Sequence, residues 1–183
     1  QRPRLQAANA DMSRVHRIER LEIETEEGRA SEIEFNAGNA ASAIRSAASQ
    51  IENLQLVVID PLATLMAGTR TNEGGDVRQA LGPLVTVAEE RGLAIVLVHH
   101  NRKGSGSHSS ERLSGSLQIG ATVRMVWEFF RDEDDDERRL LLPGKNSNGK
   151  NFGRLAFRVV DSEIPLSDQG DFVGRVEWES SPI

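Results

Sequence analysis

Asp60 closes an apolar run, residues 54–60 (LQLVVID), and is followed by Pro61. In an open parallel sheet, ligands collect at the carboxyl ends of the strands. A carboxylate placed there is a hard oxygen donor that can hold the water shell of a Mg²⁺ ion. The plain alternative is an Asp-Pro pair that merely opens a turn. His99 and His100 close a second apolar run, residues 93–98. Neighbouring strand side chains point to opposite faces, so the two imidazoles cannot chelate one metal from an ordinary strand. One of them can face the same crevice as Asp60 and donate to a phosphate oxygen or a metal-bound water. Its plain alternative is a strand-end imidazole bonded to a loop carbonyl.

Two further stretches carry cations. Residues 101–116 are rich in Gly and Ser and hold Arg102, Lys103 and Arg112 against a single Glu111. Small residues let a backbone approach a phosphate chain, and such contacts are salt-sensitive and blind to base sequence. By composition alone the same stretch reads as a flexible surface loop. Residues 144–151 read GKNSNGKN, which meets the phosphate-loop pattern except at its last position, where Asn151 replaces Ser or Thr. A phosphate loop needs a helix directly after it, because the helix amides hold the phosphates. Residues 155–160 instead read as a strand, so a Gly/Asn hairpin carrying two lysines is expected here. The acidic run 132–137 lacks the spacing and glycine of a calcium loop and reads as a solvated turn.

The elements that must position these residues follow from hydrophobic spacing. Residues 54–60 and 93–98 are short, nearly continuous apolar runs, as expected of strands buried on both faces. Between them Val77, Ala80, Leu81, Leu84, Val87 and Ala88 make a helical stripe that ends near Gly92. Asp76 is expected to cap this helix, and Pro83 to bend it or mark its start. Strand, helix and strand at this spacing form a βαβ unit with parallel strands. Upstream, residues 15–23 suggest a short strand, residues 22–34 an acidic surface loop, and Asn39 the cap of a helix reaching Ile51. Downstream, a strand over 122–130 and three more over 139–142, 155–160 and 173–178 are joined by short turns and are expected to be antiparallel. The whole is expected to be one α/β domain spanning 1–183: a mainly parallel sheet flanked by helices, with antiparallel strands at its C-terminal edge.

Composition excludes several classes. The chain has no cysteine, so disulfides, cysteine zinc sites and thiol nucleophiles are out. No apolar run approaches the roughly 20 residues of a membrane helix, and a cytoplasmic location is expected. A net charge of −6 argues against a uniformly basic coat, though not against a local basic surface.

The order of the pieces is more specific than any one of them. LVVIDPLATLMAG, a helix, AIVLVHHNRKG, a Gly/Ser loop, LLLPGKNSNGK, LAFRVV and GRVEWE follow one another over about residues 10–180. This succession resembles the RecA-like ATPases of plasmid and phage replication, the RepA helicase type of AAA family ATPase. The resemblance implies that Asp60 is the Walker B carboxylate, holding Mg²⁺ through water. It implies that His99, with His100 as second choice, senses the γ-phosphate of ATP. It further implies that the 101–116 loop touches DNA, expected to be single-stranded, in the channel of a homo-oligomeric ring, with Arg102, Lys103 and Arg112 as the contacts. In related helicases a late hairpin carries Lys-x-Arg and reaches a neighbour's ATP site. Lys145 matches the Lys, but Ser147 stands where the Arg would be, so Lys145 alone is carried over.

The family's phosphate loop and catalytic Glu lie upstream of the region that matches residues 10–60. The expectation is therefore a C-terminal part of a larger ATPase, one that by itself hydrolyses no appreciable ATP. Two rivals make different demands. A non-catalytic RecA-like module would bind DNA or oligomerise without hydrolysis. A metal-dependent phosphoesterase would use Asp60, His99 and His100 together and hold Mn²⁺ or Zn²⁺ tightly.

Overall fold

A computed structural model describes residues 2–18, 21–24, 30–71, 73–100, 117–150, 153–165 and 172–180. The chain forms two compact units, one of residues 18–123 and one that joins residues 1–17 to 124–183. The fold is mixed α/β, with a parallel strand pair in the first unit and a four-stranded antiparallel sheet in the second.

The 18–123 unit begins with β1 (Leu21–Glu24) and β2 (Ala30–Ile33), which pair antiparallel from Leu21↔Ile33 to Glu24↔Ala30. This corrects the loop expected over 22–34. The glutamates there recur at every second position, so the segment is a two-faced hairpin whose polar face hid its period of two. Helix α2 (Ala40–Gln50) buries Ala40, Ala41 and Ile44. Asn39 does not cap it by a side-chain bond. Its carboxamide turns back to the entering loop, accepting from the Asn36 N–H at 2.9 Å and donating to the Glu34 carbonyl at 2.7 Å.

Strand β3 (Leu56–Ile59), the short helix α3 (Leu62–Leu65), helix α4 (Gly74–Arg91) and strand β4 (Ala94–Leu97) make the expected strand–helix–strand unit. β3 and β4 run parallel, in register from Leu56↔Ala94 to Ile59↔Leu97. One face of the pair, Val57, Ile59, Ile95 and Leu97, packs on a core built from Ile44, Leu62, Leu65, Val77, Leu81, Leu84 and Val87. The other face is open: Leu56, Val58 and Val96 are 51%, 55% and 45% exposed. Burial on both faces was the expectation for these strands. A continuous apolar run gives a strand its composition but does not say which element covers each face.

Helix α4 starts at Gly74 with Glu73 before it, so Asp76 lies in the first turn instead of capping. There Asp76 accepts from Arg70 Nε at 2.8 Å, and Glu73 pairs with Arg70 at 3.0 Å. Pro83 sits inside the helix, which continues through it. The helix ends on Gly92, whose φ of +63° is a left-handed conformation that favours glycine. Helix α5 (Leu117–Thr122) follows and packs on α4, placing Ile119 in the same core.

In the other unit, α1 (Arg2–Ala7) packs against β7 (Leu155–Pro165) and β8 (Phe172–Trp178). The sheet order is β5 (Met125–Arg131), β6 (Arg138–Asn146), β7, β8, all antiparallel as expected. Phe157 is buried between Phe129 and Trp178, with ring centroids 5.8 Å and 5.1 Å away. The 132–137 turn is more than a solvated loop. Arg138 grips Glu179 through two bonds, of 2.7 Å and 2.6 Å, and Asp132 through one of 2.9 Å. Arg158 pairs with Asp135.

Candidate functional site

The site is built by the carboxyl ends of two adjacent parallel strands. Because Ile59 pairs with Leu97, the residues that leave the two strands emerge side by side. The crossing is fastened twice: Val98 N–H donates to the Ile59 carbonyl at 2.9 Å, and Leu62 N–H to the Val98 carbonyl at 2.7 Å. These bonds hold Asp60 between β3 and α3 while β4 runs out into His99 and His100. The Asp60–Pro61 peptide is cis. Buried Leu62 and Leu65 anchor α3 below, and the Leu65 carbonyl accepts from Ala37 N–H at 2.9 Å. Hydrogen bonds thus hold the backbone on either side of Asp60, whose own side chain reaches solvent.

His100 is the member of the pair that meets Asp60. Its Nε2 lies 3.7 Å from Asp60 Oδ1, with the two side chains 74% and 42% exposed. That is ion-pair range for a protonated imidazole and too long for a hydrogen bond. His99, one residue earlier, is exposed as well. A carboxylate and an imidazole facing each other at strand ends can divide the labour of a phosphate site: the carboxylate takes a hydrated cation, and the imidazole donates to an oxyanion.

A family model for the AAA domain matches residues 1–106. The chain belongs to that family. The match covers β3, α4, β4 and both strand ends of the Asp60 site, and the AAA family comprises nucleotide-hydrolysing ATPases of the phosphate-loop superfamily. No curated protein matches the chain.

The remaining expected site residues fall elsewhere. Arg102, Lys103 and Arg112 lie outside the described residues. Lys145 sits on β6 opposite Val126, in the unit of the antiparallel sheet. Residues 144–150 of the GKNSNGKN segment run from the end of β6 into a turn, as expected of a hairpin, and the next described element is the strand β7, which supplies no helix amides for a phosphate. Among the described residues, no group of three or more His, Asp and Glu comes together to hold a metal. Asp60, His99 and His100 therefore do not form the ligand set that a metal phosphoesterase requires. Among the described residues, no helix is long and apolar enough to cross a membrane. Sequence reading passed over Arg124 and Arg154, which flank the β6–β7 hairpin. The absence of any Asp or Glu between residues 138 and 160 is a signal for Arg154, and nothing in that stretch marks Arg124.

Proposed function

We propose that this chain supplies the acidic and sensing side of an ATP site in a DNA-translocating ATPase of the RepA helicase type, working as a homo-oligomeric ring. The observation that carries the reading is the approach of Asp60 and His100 at the ends of neighbouring parallel strands. Membership of the AAA family supports the nucleotide part of it.

The residues fit a hydrated Mg²⁺. Asp60 offers one solvent-reaching carboxylate, and this ion keeps most of its waters and takes one or two carboxylates. Bound with ATP, the ion would neutralise charge on the phosphate oxygens. Asp60 would hold its water shell. His100 would leave Asp60 and donate to a phosphate oxygen when nucleotide is present; His99, the residue first expected in this role, is the competing choice. The next residues along the chain are the 101–116 segment, in which Arg102, Lys103 and Arg112 would contact DNA phosphates, so the nucleotide state would pass to DNA through one continuous stretch of backbone. Lys145 would act toward a neighbouring subunit's phosphates.

Calorimetry with ATP in the presence and absence of Mg²⁺ tests the central part, using the full-length gene product. Mg²⁺ is expected to tighten ATP binding in the wild type and to do so far less in Asp60→Asn. An equal Mg²⁺ effect in both proteins would remove Asp60 from the site.

A further inference from the structure

The antiparallel sheet has two unlike faces, and strand register sorts its residues between them. Phe129 stands opposite Leu141, Leu141 opposite Leu155, and Phe157 opposite Trp178. Side chains alternate along a strand, so Trp127, Phe129, Phe157, Val159, Val176 and Trp178 share one face. The chain has two Trp and six Phe, and this face takes both tryptophans and two of the phenylalanines. Phe157 is buried at the centre, edge-on to Phe129 and tilted against Trp178. The outer two rings stay open, Phe129 at 65% exposure and Trp178 at 53%, and Val159 and Val176 beside them are exposed as well.

Charge divides by face too. On the opposite face the arginines are matched: Arg138 with Asp132 and Glu179, Arg158 with Asp135, and Arg175 with Glu177. The aromatic face carries Arg131 and Arg139, which stand opposite each other, with Arg139 also opposite Phe157. Arg131 is exposed. Arg139 donates to the Asp136 and Arg138 carbonyls, which orient its guanidinium and remove none of its charge. Among the described residues paired in the sheet, the one carboxylate on this face is Asp161, opposite Gly174 and beyond Val159 and Val176.

We propose that this face is a platform for the bases of a single-stranded nucleic acid. Phe129 and Trp178 stack on bases, and Arg131 and Arg139 take the phosphates between them. An unpaired strand presents flat apolar bases and a polyanionic backbone together, and rings with cations on one surface complement both. A second copy of the chain fits less well. It would bring the same two arginines into the contact against a single Asp161, and buried charge without a partner is costly. Stacking accepts any base, so no sequence preference is implied. The platform lies wholly within the unit of the antiparallel sheet, and the proposal does not rest on the ATP reading.

Anisotropy titrations on the full chain test this with four labelled ligands of equal length: oligothymidylate, oligouridylate, a duplex, and an abasic strand that keeps the phosphates. The intact single strand is expected to bind at least about tenfold tighter than the abasic one, and the better of DNA and RNA identifies the natural strand. Equal affinity for intact and abasic strands would overturn the proposal, as would a duplex that binds as well as the single strand. Phe129→Leu keeps apolar bulk at an exposed position and removes the ring. It is expected to weaken the intact strand about tenfold and leave the abasic strand unchanged, whereas Phe129→Trp binds as the wild type. Full affinity in the leucine variant would count against the platform. Arg102→Ala/Lys103→Ala/Arg112→Ala is expected to preserve the ratio of intact to abasic affinity; its collapse there would move base contact to the 101–116 segment. Sedimentation of the free chain is the last arm. A dimer that Phe129→Lys dissolves and no strand displaces would give the face to a second copy and overturn the proposal.

Discussion

At the residue scale, the functional reading turns on which histidine faces Asp60. The sequence offered two adjacent imidazoles, and alternation along a strand allowed only one of them to face the crevice. The His100 imidazole lies 3.7 Å from the carboxylate. His100→Ala is therefore expected to uncouple DNA stimulation from ATP hydrolysis, leaving His99→Ala close to wild type in the same steady-state assay. The reverse ranking would return the sensing role to His99. Gly92 makes a separate claim about stability. Its φ is +63° and no atom lies within 4 Å of an added Cβ, so only backbone strain opposes a side chain. Gly92→Ala is expected to cost about 1 kcal/mol in urea unfolding, with Gly92→Asn cheaper. A neutral Gly92→Ala would mean that the helix end refolds into another cap.

At the element scale, stability divides between an apolar stripe and an ionic clamp. Helix α4 buries Val77, Ala80, Leu81, Leu84 and Val87 along one face. With Leu65 of α3 fully buried beside them, Leu65→Ala is expected to cost about 2–5 kcal/mol by calorimetric or denaturant unfolding. The clamp around Arg138 instead makes the antiparallel sheet sensitive to acid. Its bonds to Arg138 hold Glu179 below the usual carboxylate range, and Arg158 does the same for Asp135. Carboxylates with lowered native values stabilise the fold fully above the ordinary carboxylate range. That contribution falls as pH drops through this range and is gone below the native values. Arg138→Met is expected to flatten the acid limb of a pH–stability curve followed by Trp fluorescence. An unchanged limb would show that other groups control acid unfolding.

These elements were unequally legible. β3, α4 and β4 announced themselves because residues 54–60 and 93–98 are apolar runs around a helical stripe. The β1–β2 hairpin did not, since Glu22, Glu24, Glu32 and Glu34 swamp the apolar residues between them. Arg138 and Glu179 lie 41 positions apart, and no local pattern links residues so distant. The open face of Leu56, Val58 and Val96 was equally hidden, because a run of apolar residues reports what needs cover and not what provides it.

At the scale of the whole molecule, the match places the chain in a family of nucleotide-hydrolysing ATPases, and the strand order is that of a mixed α/β protein. Net charge alone would have argued against a polyanionic partner. The arrangement of charge tells more, since carboxylates gather around Arg138 and Arg158 of the antiparallel sheet. The central claim, that Asp60 belongs to an ATP site, is tested most directly by one comparison: Mg²⁺-dependent ATP hydrolysis by the full-length gene product and by its Asp60→Asn variant. The substitution keeps size and removes charge, so a loss of about 10²-fold or more in rate, with the fold intact by circular dichroism, is the expected result. Hydrolysis at the wild-type rate would contradict the account and leave Asp60 as the residue that opens a turn.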